Sequence, residues 1–182
     1  DSLKYLQNKG LDIQVTGVNR DGLVNINAIA EILSHNANSL VIIMHANNEI
    51  GVVQPIPDIS KIVKESNSYL FVDGAQSVGK IPIDVKELGI DMMAISAHKF
   101  YGPKSIGILY VARGKNIDPL FIGGGQEKGI RPGTENISLI AGMSHALEIA
   151  YNNIEKNLSH ISNMEKILID ELNKNNINHK IN

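Results

Sequence analysis

Short apolar runs of strand length alternate along this chain with segments whose apolar residues recur at helical spacing. Leu40 to Met44, Tyr69 to Val72, Met92 to Ser96 and Ile106 to Val111 are nearly unbroken apolar stretches, the pattern of strands in a sheet covered by helices. Between them, Asn25 to Ser34 carries Ile26, Ala28, Ile29, Ile32 and Leu33 at mostly helical spacing. A further helix over Asp58 to Ser66 is entered through Pro55 and Pro57, and Val85 to Leu88 reads as a short helical turn. Upstream, Ser2 to Lys9 reads as a helix stopped by Gly10, and the alternating Ile13 to Val18 as a strand before the turn Asn19 to Gly22. From Glu135 onward, Ile140, Met143, Leu147, Ala150, Ile154, Leu158, Ile161, Met164, Leu168 and Leu172 predict one long amphipathic helix or two in succession, placed to bridge to another domain or to pack on a partner.

This alternation predicts an α/β fold, a three-layer sandwich around a mostly parallel sheet, with the Ile106 to Val111 strand close enough to its predecessor to pair antiparallel. In such a sheet the strand C-termini lie at one edge, where ligands bind. Asn47-Asn48, Asp73 to Gln76 and Ser96 to Lys99 would meet there.

Composition narrows the function classes. At 182 residues and 43% hydrophobic, the chain is long enough for one core that removes roughly two-thirds of the unfolded surface from water. With 17 basic and 19 acidic residues the formal charge is -2, which gives no electrostatic footprint for nucleic acid or an anionic membrane. Apolar runs stay far below the ~20 residues of a membrane span, so a soluble cytoplasmic protein is expected, or a mitochondrial one in a eukaryote. Cysteine is absent, which excludes disulfides and thiolate metal sites within the chain, and the scattered histidines form no H-E-x-x-H; no metal site is expected. Gly102 and Gly107 have the spacing of a phosphate-binding loop but lack its Lys-Ser/Thr, and Gly123-Gly124-Gly125 does not make a dinucleotide fingerprint. Starting at Asp1 without methionine and ending at Lys180-Ile181-Asn182, the sequence reads as a segment of a longer protein. Residues 1–150 are expected to form a partial cofactor-binding large domain and 151–182 a helical connection to a smaller one.

The chemistry concentrates in two stretches. Ser96-Ala97-His98-Lys99 ends one apolar strand, and Val72-Asp73-Gly74-Ala75-Gln76-Ser77 ends another. A lysine at the end of a buried strand can be desolvated and made a nucleophilic amine, and a carboxylate on a neighbouring strand can keep the ring nitrogen of pyridoxal phosphate protonated. Asp73 also suits a helix N-cap. Asn48 and Gln76 are neutral hydrogen bonders suited to a phenolate oxygen, although Asn48 would serve equally in a turn. Ser96 and His98 could bind a phosphate, with Ala97 adding at most its backbone N–H; His98 could instead be a packed core residue, and His45 reads as structural.

Four ordered blocks carry a resemblance over nearly the whole chain: His45-Ala46-Asn47-Asn48-Glu49-Ile50-Gly51 through Pro55; Val72 through Lys80; Ser96 through Lys104; and Gly123 through Gln126-Glu127 with Arg131-Pro132-Gly133-Thr134-Glu135-Asn136. Together they resemble the class V aminotransferases of fold type I, specifically the NifS/IscS-type cysteine desulfurases. The resemblance implies that Lys99 is the catalytic residue and holds pyridoxal 5'-phosphate covalently. Asp73 would meet the ring nitrogen, Asn48 and Gln76 the phenolate oxygen, Ala75 the ring face, and Ser96, Ala97 and His98 the phosphate. Thr134 would reach the phosphate of a partner subunit in a homodimer with shared sites. The implied reaction releases sulfur from L-cysteine as an enzyme persulfide and leaves alanine, for delivery to a sulfur-acceptor or scaffold protein in Fe–S cluster assembly or another pathway. Selenocysteine lyase shares similar motifs, and a non-catalytic scaffold is the reading from another class. The persulfide cysteine, the ring-stacking histidine and a Thr-containing phosphate loop of such enzymes have no counterpart within these residues.

Overall fold

The computed structural model describes residues 2–181. The apolar runs pair into one four-stranded sheet, β1 (Leu40–Met44), β2 (Tyr69–Asp73), β3 (Met92–Ser96) and β4 (Gly107–Val111), lying side by side in chain order. β1 and β2 run parallel with Met44 beside Asp73, β2 and β3 parallel with Asp73 beside Ala94, and β4 returns antiparallel with Gly107 beside Ser96. The mostly parallel α/β sheet and the antiparallel fourth strand are as the sequence predicts.

Register decides which side chains share a face. Val41, Ile43, Leu70, Val72 and Met93 turn to one side, where α2 (Ile26–His35) and α3 (Ile56–Glu65) supply Ile29, Leu33, Ile56, Ile59 and Val63 to the same core. Leu70, Val72, Met93, Ile56, Ile59 and Val63 are fully buried. Each such side chain contributes about 1.5–3 kcal/mol relative to exposure. The opposite face carries Leu40, Ile42, Tyr69 and Leu109, all exposed, so the helices of this chain cover one side of the sheet and form two of the three expected layers.

Local chemistry sets the helix ends. Asn25 caps α2 by accepting from the Ala28 N–H at 3.1 Å, and Asn136 caps α4 (Ile137–Asn152) by accepting from Leu139. α3 starts two residues before the expected Asp58, because Pro55 and Pro57 occupy positions whose missing N–H costs nothing in a first turn. The C-terminal apolar pattern resolves into two helices, α4 and α5 (Ile154–Lys174), separated at Asn153. Ser2–Asn8 forms α1, as expected.

One expectation changes. Ile13 to Val18 is not a strand: the segment makes one isolated bridge, Val18 to Val24, and Val15 is 82% exposed. Alternation alone does not supply a neighbouring strand, and Gln54 instead holds this region by accepting from the Val24 N–H and donating to the Gly22 carbonyl. Between β2 and β3 the crossover is built from successive turns at 75–80 and 85–89, the second of them where the sequence predicts a short helical turn. At the far end of the sheet Asp91 accepts from the Leu70 N–H at 2.8 Å and pairs with Lys115 at 3.2 Å, tying the start of β3 to β2.

Candidate active site

The strand C-termini meet at one edge because β1, β2 and β3 run in the same direction. The loop after β1 turns back at once: Asn47 donates its N–H to Val52, and its side-chain oxygen accepts from the N–H groups of Glu49 and Ile50 at 2.9 and 3.1 Å. Asn47 is therefore the turn-former. Asn48 is spared that work, and its amide donates to the Glu49 carboxylate at 2.9 Å.

Asp73 ends β2 half-buried. One of its oxygens accepts from the Ala75 N–H at 2.9 Å, which satisfies the capping role in part and fixes the carboxylate. Among the described residues no lysine, arginine or histidine forms an ion pair with it. A half-buried carboxylate held in this way retains an acceptor for a cationic N–H. Ala75 and Gln76 follow in the turn, both half-buried, and Gln76 accepts from Lys80 at 2.7 Å.

β3 ends at Ser96, and the chain enters a 3-10 turn over Ala97–Phe100. Buried Ala97 and Phe100 pin this turn, while His98 and Lys99 between them are exposed. His98 is accordingly no core histidine, and Lys99 is not desolvated by this chain's own burial. Ala97 departs from expectation too: its N–H donates to the Ile106 carbonyl at 3.3 Å, so the backbone donor assigned to a phosphate is already engaged. α4 packs on this turn.

Thr134 is exposed, in the loop leading to α4. No hydrogen bond among the described residues joins it to the strand edge; the loop is closed by Gln126 accepting from the Gly133 N–H at 3.1 Å, with Glu127 and Lys128 in left-handed conformations. His45 is buried beside the edge with Nδ1 unpartnered, and burial lowers its pKa. Sequence reasoning missed Lys80 and the turn-forming role of Asn47. The four-residue spacing from Gln76 was the available signal for Lys80. Among the described residues no group of three or more His, Cys, Asp or Glu is placed to hold a metal ion, and no helix is long and apolar enough to cross a membrane.

Comparison with known proteins places this edge in context. A cysteine desulfurase IscS of Dictyoglomus turgidum is 43% identical over 170 residues, covering 93% of this chain and 43% of that protein. The mitosomal cysteine desulfurase of Trachipleistophora hominis is 42% identical over 177 residues, covering 96% of this chain and 40% of that protein. A NifS-like protein of known structure superposes with a TM-score of 0.89 at 38% identity, over 95% of this chain and 48% of its own. A structure described as SspA in complex with cysteine gives 0.76 at 42% identity, over 81% of this chain and 43% of its own. The chain thus spans less than half the length of these relatives. The family profile described as aminotransferase class-V matches residues 3–180, the same stretch that folds into the sheet, its helices and the convergent edge; the chain belongs to the class-V aminotransferase family.

Proposed function

We propose that the full-length protein is a pyridoxal phosphate-dependent cysteine desulfurase, and that the strand edge described above is the part of its active site contributed by residues 1–150. The observation that carries this reading is Asp73: a carboxylate fixed at the end of β2 by the Ala75 N–H, without an ion-pair partner among the described residues, one strand from the turn that presents Lys99. When bound, the cofactor supplies an electron sink for the substrate's α-carbon.

The residues of this chain have separate tasks. Asp73 holds a proton at the ring nitrogen through a charge-assisted hydrogen bond. Lys99 provides the primary amine that retains the cofactor covalently and, once released, carries a proton at the substrate's α-carbon. Gln76 and Asn48 would donate to the phenolate oxygen, Ala75 would lie against the ring, and Ser96 and His98 would bind the phosphate. Cleavage of the C–S bond of L-cysteine leaves alanine and passes sulfur to a cysteine thiol as a persulfide. These 182 residues contain no cysteine, so that thiol belongs elsewhere in the protein. Thr134 serves the partner's site in a homodimer, residues 151–182 link to a further domain, and a sulfur-acceptor protein in the cytoplasm or a mitochondrial compartment receives the product.

The test is borohydride reduction of full-length protein incubated with pyridoxal phosphate, peptide mapping of the label, and assay of alanine from cysteine alongside selenocysteine. Label on Lys99 and turnover of cysteine are expected. Label on another lysine removes the site assignment, and turnover of selenocysteine alone replaces the desulfurase reading with the lyase.

A further inference from the structure

Gln76 and Lys80 stand four residues apart in the turns that follow β2, and Lys80 Nζ donates to Gln76 Oε1 at 2.7 Å. An ammonium has donors and no acceptor, so this bond decides which way round the amide lies. The oxygen is turned to Lys80. Both N–H groups of Gln76 are left without a partner among the described residues.

The same turns are pressed against the segment that presents Lys99. A Cβ at Gly79 would lie 2.8 Å from the Cβ of Phe100, the residue after Lys99, so the two segments touch backbone to side chain. Burial first, and the Lys99 ammonium second, hold the Lys80 pKa below the usual lysine range. Gln76 is half-buried and Lys80 largely open to solvent, where a hydrogen bond contributes little to folding. Its consequence is a choice of orientation.

We infer that Lys80 is a positioning residue, holding the Gln76 oxygen so that Gln76 presents its N–H donors, and not its carbonyl, to an anionic oxygen at the strand edge. This rests on the reading above, in which that oxygen is the phenolate of pyridoxal phosphate. Without Lys80 the amide is free to turn over, and a carbonyl facing a phenolate is repulsive. Lys80 could also act on the phenolate directly by its charge, and the two routes are separable.

The experiment is a pH titration of the visible band of the lysine-bound cofactor in the full-length protein. A donor at the phenolate oxygen favours its anionic state, so Lys80→Met is expected to raise the titration midpoint by about one unit, the scale of one oriented hydrogen bond. Lys80→Arg, which keeps a cationic donor, should recover at least half of that shift. In a Gln76→Leu background no amide remains to orient, and adding Lys80→Met should move the midpoint by no more than about 0.3 units. A full shift persisting in that background overturns the inference in favour of direct charge, and an unchanged midpoint in Lys80→Met alone overturns it outright. Wild-type protein with no borohydride-reducible band would instead remove the cofactor reading, and this inference with it.

Discussion

Gly79 sits where the turns after β2 press against the segment that presents Lys99, so its replacement by alanine strains both. Its φ is +77°, and an added Cβ would lie 2.8 Å from Phe100 Cβ and 3.1 Å from Ala150 Cβ. Carbon atoms in comfortable contact sit about 3.5–4.0 Å apart, so the 3-10 turn and α4 must retreat by roughly 0.7 and 0.4 Å. The left-handed backbone costs a Cβ-bearing residue about 1–2 kcal/mol, of which about 0.4–1 kcal/mol is recovered from the stiffer unfolded chain. Overpacking adds about 1–3 kcal/mol, giving a net loss of about 1–4.5 kcal/mol for Gly79→Ala, centred near ~3 kcal/mol. Gly51 supplies the control. Its φ is +71°, yet nothing lies within 4 Å of an added Cβ, so Gly51→Ala should cost only about 1 kcal/mol. Urea denaturation of the full-length variants, with m-values compared to confirm an unchanged transition, reads the difference directly. Pyridoxal phosphate affinity should fall in Gly79→Ala, since Lys80 and Lys99 stand on the two segments forced apart. Equal destabilisation by the two substitutions would refute the packing argument.

Asp73→Asn should still bind pyridoxal phosphate but lose activity by orders of magnitude, because each unit by which the ring nitrogen's pKa falls is worth about 1.4 kcal/mol of the electron sink; near-normal alanine formation would mean the carboxylate does not meet that nitrogen. His45, whose pKa is lowered by burial, takes a proton more readily in the unfolded chain. Its stability contribution is therefore complete above the usual value of about 6.5 and declines as pH falls below it, by up to about 1.4 kcal/mol per unit until the folded pKa is passed. His45→Leu should flatten that part of the urea-midpoint profile between pH 7.5 and 5, and an unaltered slope would assign the acid sensitivity elsewhere. Mixing full-length Lys99→Ala and Thr134→Val subunits under exchange should restore activity in one of the two hybrid sites; no recovery, with exchange confirmed and each parent inactive, would place Thr134 outside the partner's site.

Most elements form where local residue patterns place them. Leu40 to Met44, Tyr69 to Val72 and Met92 to Ser96 are short apolar runs of strand length, and the Asn25 and Asn136 caps act over three residues. The placement of Lys99 and Asp73 at the ends of neighbouring strands was legible in the same way, since Ser96 to Lys99 follows one apolar run and Asp73 closes another. Non-local partners decided the rest. Ile13 to Val18 has the alternation of a strand and nothing to pair with, because a ladder needs a second backbone that no local pattern specifies. Asn47 and Asn48 are the same residue type side by side, and only the path of the loop gives one to the turn and leaves the other at the edge. The orientation of Gln76, the engagement of the Ala97 N–H by Ile106, and the exposure of Lys99 each follow from contacts made after the sheet has assembled. Residue identity fixes what a side chain can donate or accept; tertiary packing fixes which of those bonds are already made and which remain for a ligand.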